Sequence, residues 1–127
     1  MENEKITHGG WDPIADAADA LATISARGIR VQEGWYQADL RALHLTLWLL
    51  ELSPEDSSDD ESETETARIQ INIWSDRDES SLMREATALM RAGGWGWEGS
   101  FTDTDPENRR RLQAARFIKI IEIQKGN

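Results

Sequence analysis

The segment from Arg68 to Ser75 places the strongest constraint on the fold of this chain. Isoleucine occupies every second position, at 69, 71 and 73, and the positions between carry Gln70, Asn72 and Trp74. A period of two predicts a β-strand with one face in a core. Because a fully buried parallel strand would read as a continuous apolar run, the pattern indicates an antiparallel sheet with a partly solvated second face.

An amphipathic helix is predicted directly after this strand. Ser75 or Asp76 can accept hydrogen bonds from the first amides of a helix, and Asp76 with Glu79 has the spacing of a capping box. Gly93 and Gly94 are expected to end the helix. Apolar side chains recur at helical spacing between these limits, at Leu82, Met83, Ala86, Leu89 and Met90. This helix should pack back on the same sheet.

The remaining elements complete a predicted order of α-β-β-β-α-β. An earlier helix starts at Asp12-Pro13 and ends at Arg27-Gly28, since Asp is a good cap and Pro suits the first helical position. Three further segments have the composition of strands: Ile29–Gln32, His44–Leu52 and Gln113–Gln124. Whether Gly34-Trp35-Tyr36 continues the first of these, and whether the glycine-rich Trp95–Phe101 segment is a short strand, stays open. The predicted fold is a single α+β domain over residues 1–127, a two-layer sandwich of a mainly antiparallel sheet and two helices.

Most of the negative charge lies in one segment. The net charge is −10, from 24 acidic and 14 basic residues, and Glu55–Glu65 contains seven acids and no base. The rest of the chain therefore has 17 acids against 14 bases. Because a segment of Ser, Thr, Asp and Glu cannot bury enough apolar surface to order itself, we expect a flexible acidic insertion at 53–66, between two strands of a hairpin. The overall negative charge argues against direct binding of nucleic acid.

The sequence offers little for catalysis, metal binding or membrane insertion. The chain contains no cysteine, and its two histidines lie in a tail, His8, and on a predicted strand, His44, with no Glu or Cys placed as in a metal site. Serine and threonine occur without a nucleophile-elbow pattern, and the glycine run after the second helix does not precede a helix as phosphate loops do. We therefore expect no enzyme activity, cofactor or metal. With neither a signal-peptide start nor an apolar run near the ~20 residues of a membrane helix, a soluble cytoplasmic protein is expected.

The order α-β-β-β-α also belongs to double-stranded RNA-binding domains. Those domains hold RNA with basic residues at the second helix. In this chain the corresponding helix begins with Asp76, Asp78 and Glu79. The sign of the charge is wrong, and we reject that function.

A protein interface is the remaining candidate for a functional site. The strand face opposite the isoleucines combines polar groups with a large aromatic, which is common where protein surfaces meet. The alternative for Trp74 is burial under the second helix or a loop. The triplet Arg109-Arg110-Arg111 is either a solvated turn or a contact for an acidic patch, such as Glu55–Glu65, on another subunit. The candidate interface residues are Arg68, Gln70, Asn72, Trp74, Trp95, Trp97, Arg109, Arg110 and Arg111.

The chain resembles the tail terminator (tail completion) proteins of long-tailed bacteriophages. The resemblance rests on the strand Ala67–Ser75, the acid-started helix after it, Phe101-Thr102-Asp103-Thr104-Asp105 and the closing Arg116-Phe117-Ile118, and it covers Ile29–Ile123. It implies a small α+β subunit, without catalytic residues, that assembles into a ring, typically a hexamer. The ring caps the tail tube, ends its polymerisation and offers a surface to the head-side neck or connector protein.

The resemblance also implies where the protein is found, although the chain differs from the family in one feature. The protein would be made in the host cytoplasm and end in the virion, at the neck end of the tail, with itself, the tube protein and the neck protein as partners. The long acidic insertion is not part of the family pattern.

Two other classes of function stay open. An acidic inhibitor that mimics DNA would spread carboxylates over a rigid face, whereas most of the excess charge here lies in one segment. A bacterial secretion chaperone is also a small acidic α+β protein, usually dimeric, and binds an unfolded client along apolar grooves.

Overall fold

All five strands that the structure describes lie in one sheet. The computed structural model describes residues 11–35, 42–56, 62–105 and 110–124. The sheet has the strand order β1-β2-β3-β5-β4, in which β1 runs parallel to β2 and every other pair is antiparallel. The elements are α1 (Pro13–Ala20), α2 (Ala22–Ala26), β1 (Arg30–Glu33), β2 (His44–Asp56), β3 (Ser62–Ser75), α3 (Ser80–Ala92), β4 (Gly96–Asp105) and β5 (Arg110–Gln124).

The α+β class and the mainly antiparallel sheet are confirmed, but the predicted order is wrong in two places. The first helix is divided at Leu21, whose N–H bonds to both Ala17 O and Ala18 O as the turn tightens. The second difference is β4, a full strand on the outer side of β5. A bulge between Trp97 and Ser100 contains Gly99, whose φ of 124° suits glycine, so the glycines do not stop the strand.

One face of the sheet carries the main core. Ile69, Ile71 and Ile73 are fully buried, as the alternation predicted. Burial of a side chain of this size contributes roughly 1.5–3 kcal/mol. All three helices pack on this face, and the other core residues around the isoleucines include Ala17, Leu21, Ile24, Leu45, Leu47, Leu82, Met83, Ala86, Met90, Ala115 and Phe117.

The two long helices begin in different ways. Asp12 caps α1 as predicted, because its Oδ1 accepts from the amides of Ile14 and Ala15 at 3.1 and 3.2 Å. The capping box predicted for α3 is wrong. β3 runs to Ser75 and the chain must then turn, so α3 begins only at Ser80, whose amide is held by Asp78 Oδ1 at 3.0 Å.

The predicted flexible insertion at 53–66 is largely strand. β2 and β3 stay paired from Ser53 with Thr66 out to Asp56 with Glu63, and residues 57–61 of the prediction lie outside the described part. On its other side, β3 pairs with β5 as far as Ser62 with Gln124. The composition of the segment did not reveal this pairing, because the isoleucine-rich β5 supplies a second neighbour on which an acidic but β-branched segment can form a ladder. We call residues 50–56, 62–66 and 120–124 the acidic arm.

Candidate protein interface

The strand face predicted to meet a partner is turned into the molecule. Gln70, Asn72 and Trp74 are 3%, 0% and 1% exposed. Gln70 Nε2 donates to Asn72 Oδ1 at 2.7 Å, and Asn72 Nδ2 donates to Thr46 Oγ1 at 3.1 Å. Arg116 Nε donates to Gln70 Oε1 at 2.9 Å, which completes a polar row across β2, β3 and β5. The expectation of a solvated face is therefore wrong for these three residues, because the row satisfies their polar groups inside the chain.

Trp74 is covered by the segment that follows β1. The strand ends at Glu33, and Gly34, with a φ of 129°, redirects the chain. Trp74 Nε1 then donates to the backbone oxygen of Trp35 at 2.8 Å, and the Trp35 ring lies edge-on to both Trp74 and Trp48. Burial under a loop, the alternative weighed for Trp74, is what the structure contains. Trp35 and Trp48, each 42% exposed, are the aromatic surface on this side.

Arg68 is partly exposed but engaged with its own chain. Its Nη1 lies 2.6 Å from Glu51 Oε1 and its Nε lies 3.1 Å from Glu98 Oε1, so it links β2 to β4 across the sheet. Hydrogen bonds from Ser53 and then from Arg68 lower the pKa of the Glu51 carboxyl. Because these side chains are in contact with water, the pairs fix orientation more than they stabilise the fold.

The two tryptophans of the glycine-rich segment have different environments. Trp95 is buried, with its Nε1 3.1 Å from Asp16 Oδ1, so it anchors α1 and is not interface surface. Trp97 is 50% exposed, and its Nε1 donates to Ser100 Oγ at 3.0 Å. Only Trp97 of this predicted pair is available to a partner.

The arginine triplet is not one surface patch. Arg110 is buried and Arg111 is exposed, because β5 begins at Arg110 and successive strand residues point to opposite faces. Arg109 lies outside the described residues. The prediction that the whole triplet forms a basic contact is therefore wrong for Arg110.

A different basic surface lies between α3 and β4. An open groove of about 410 Å³ there is lined by Met83, Arg84, Thr87, Ala88, Arg91, Trp97 and Ser100. Residues four and seven apart share a helix face, so Arg84, Ala88 and Arg91 line one side of the groove together. We call this site the α3–β4 groove. Sequence reasoning missed it, although two arginines at this spacing on the side away from the core were the available signal.

The strand beside this groove is the outer edge of the sheet. Gly96–Phe101 and the three residues after it are exposed along most of their length, and β4 pairs with β5 on one side only among the strands that the structure describes. Phe101 projects from the face opposite Trp97 and is 41% exposed, with the Arg116 guanidinium 5.6 Å from its ring centre. An exposed strand edge bordered by aromatic side chains is a common place for one protein to meet another.

The acidic arm is a second, unlike surface. Leu50, Leu52 and Ile120 are 40%, 43% and 60% exposed. Six acids and no base accompany them in the arm, namely Glu51, Glu55, Asp56, Glu63, Glu65 and Glu122. Of these, Glu65 is buried rather than solvated, and Glu51 is paired with Arg68. The arm thus combines exposed aliphatic groups with negative charge, where the groove combines apolar groups with positive charge.

Within the described residues, the structure contains no cluster of three or more potential metal-binding side chains. No helix in that same part of the chain is long and apolar enough to cross a membrane. No protein-family model matches the chain, and no curated protein sequence matches it.

Proposed function

We propose that this protein is a tail terminator, which assembles into a ring on the end of a phage tail tube and stops its growth. The observation that carries the proposal is the pair of unlike surfaces at different places on one sheet. The α3–β4 groove lies by the β4 edge, and the arm is formed by the ends of β2, β3 and β5 beyond the last β4–β5 pairing.

Unlike surfaces favour contacts between different patches of neighbouring subunits. Such head-to-tail contacts close into a ring when the rotation between subunits permits it. A tube has rotational symmetry about its axis, and a protein that caps it must match that symmetry. In the family that the chain resembles, the ring typically has six subunits.

Both sides of the subunit that would take part in the proposed contact are open to a partner. On the β2 side, β1 pairs only with His44–Leu47, so among the described strands the outer edge of β2 is unpaired from Trp48 onward. On the β4 side, the groove and the strand edge are exposed together. The three helices of the described part of the chain pack on one face of the sheet, which leaves the described sheet edges open to a partner.

The function needs no reaction. A ring on the last layer of tube subunits would cover the surface on which the next layer adds, and its far side would meet the neck protein. The proposed partners are therefore further copies of the chain, the tube protein and the head-side neck protein.

The test is to add purified protein to growing tail tubes and to image the tube ends. We expect tubes of arrested length with extra density at one tip. Tubes that keep growing without density at the tip would overturn the proposal. A stable dimer that binds an unfolded client would instead support a secretion chaperone.

A further inference from the structure

We infer that the α3–β4 groove holds the acidic arm of a neighbouring copy of the chain. This inference rests on the proposed ring and names the contact that would build it. The groove, and not the arginine triplet considered from the sequence, is the basic partner of the acidic segment.

The groove has an apolar floor and a charged rim. Met83 and Ala88 on α3 face Trp97 on β4 across it. Arg84 and Arg91, both exposed, stand seven residues apart along its α3 side. An occupant that suits this surface needs aliphatic side chains for the floor and carboxylates for the two arginines.

The arm has that combination. Ile120 is an exposed aliphatic residue on it, and the exposed Glu122 follows two residues later on the same strand face. Position 55 has the same register as position 122, because both pair with Thr64. Leu52 pairs with Ala67, on the other face of the sheet, and takes no part in this contact. A strand segment of seven residues, such as 50–56, spans roughly 23 Å at 3.3 Å per residue. The two arginines are separated by roughly 10 Å along α3, at 1.5 Å per residue. The arm is therefore long enough to reach both.

The arm of the same chain cannot occupy the groove. The arm consists of the ends of β2, β3 and β5, and its β5 residues begin only after the last pairing of that strand with β4, Ile118 with Gly96. The ladders β2–β3 and β3–β5 continue through the arm to Asp56 and Gln124, and hold it in the plane of its own sheet. The occupant must come from another copy.

Charge reversal on the rim tests the contact. Arg84→Glu with Arg91→Glu should weaken ring formation at least tenfold, measured by analytical ultracentrifugation and by capping of tail tubes. The matched control is Arg30→Glu with Arg77→Glu, which makes the same change in net charge at two exposed arginines outside the groove. The control should assemble as the unaltered protein does. Equal loss in both double variants would show a net-charge effect and overturn the inference.

A charge rescue in the arm and a steric block of the groove test the same contact in two further ways. Adding Glu55→Lys and Glu122→Lys in the arm should restore assembly to the groove variant, and failure to restore it would count against the arm as occupant. Ala88→Trp should block the groove by volume, whereas Ala15→Trp, at an exposed position of α1, should not. Thermal unfolding confirms that each variant is folded before it is scored.

The outcomes separate this inference from the proposed function. If the unaltered protein caps tubes and the groove variants do so equally well, the ring stands and the groove contact is wrong. If the unaltered protein neither forms rings nor caps tubes, the proposed tail-terminator function is wrong, whatever the groove variants do. A third outcome supports both the groove contact and the tail-terminator function. In it, assembly is lost in the groove variants, kept in both controls and restored by the arm lysines.

Discussion

At the scale of single residues, Asp16 joins three parts of the fold. Its carboxylate accepts from Trp11 Nε1 at 3.0 Å, from Trp95 Nε1 at 3.1 Å and from Lys119 Nζ at 2.9 Å. Lys119 Nζ also donates to Gly93 O at 2.8 Å, at the end of α3. α1, α3 and β5 are thus tied together through one carboxylate. Hydrogen bonds to a charged group are among the stronger ones.

We predict that Asp16→Asn lowers the free energy of unfolding by about 1–3 kcal/mol at neutral pH, because buried donors lose a charged acceptor. Burial raises the pKa of Asp16, but the bonds from Lys119, Trp11 and Trp95 outweigh it and keep the pKa below its ordinary value. A lowered pKa in the folded state gives stability that is present above the unfolded pKa of about 3.9 and is lost as pH falls through the folded value.

The measurement is urea denaturation at a series of pH values from neutral to below 4. The native protein should lose stability at the acidic end, and Asp16→Asn should lose less of it there, since it has no carboxyl to protonate. Asp19→Asn, an exposed acid on the same helix, is the control and should change neither quantity appreciably. A parallel pH dependence in native protein and Asp16→Asn would contradict the assigned role.

The residues of the polar row mark a limit of sequence reasoning. Isoleucine at 69, 71 and 73 is apolar, so its burial follows from the alternation. Gln70 and Asn72 look solvated in sequence, yet they are buried because Thr46 and Arg116 meet them from two other strands. Partners so far apart in the chain are identified only by the register of the sheet. The same reason explains why the predicted interface face was wrong.

At the scale of elements, helix starts could be predicted only where the local chain was free to follow its capping preference. Asp12 and Pro13 begin α1 as expected. α3 begins further along the chain than expected, at Ser80, because Ser75 still belongs to β3 and pairs with Arg111. We predict that Asp12→Ala costs about 0.5–2 kcal/mol, the usual loss of an N-cap. Asp76→Ala should be close to neutral, because Asp76 is exposed and precedes the helix. Thermal unfolding of the two variants gives the comparison, and equal losses would contradict the observed helix start.

The arm gives a second prediction at this scale. If β3 is paired on both sides from Ser62, the amides of Thr64 and Thr66 should exchange with solvent far more slowly than those of an unstructured peptide. The amide of Ile71, deeper in the same strand, serves as the internal reference and should be slower still. Hydrogen exchange followed by NMR checks this. Exchange of the Thr64 and Thr66 amides at the free-peptide rate would show that the segment is the flexible insertion expected from its composition.

At the scale of the whole molecule, the sequence predicted the α+β class but not the arrangement of its surfaces. The helix and strand periods were sufficient to place most elements. The strand order β1-β2-β3-β5-β4 was not predictable, because it depends on which edges pair after the chain has turned. The α3–β4 groove follows from that order, since it exists only where β4 lies beside α3. The site therefore became visible only with the fold.

A head-to-tail contact predicts how a mixture of an arm variant and a groove variant assembles. A variant in which residues 55–63 are replaced by a short Gly/Ser turn, and Ile120 and Glu122 by Ser, keeps its groove but lacks the arm groups that fill a neighbour's. The variant Arg84→Glu with Arg91→Glu keeps its arm but cannot receive one. In a head-to-tail assembly, one arm and one groove remain usable in the mixture, so assembly should stop at a 1:1 dimer.

Each variant by itself should remain monomeric, and a ring should form only from the unaltered chain. Sedimentation of the two variants, separately and mixed, measures this directly. A two-fold symmetric contact would behave differently in the unaltered chain, because each subunit would fill the other's groove and assembly would stop at a closed dimer. An unaltered chain that stops at a dimer, or dimers formed by either variant in isolation, would therefore overturn the head-to-tail arrangement, and with it the geometric basis for a ring.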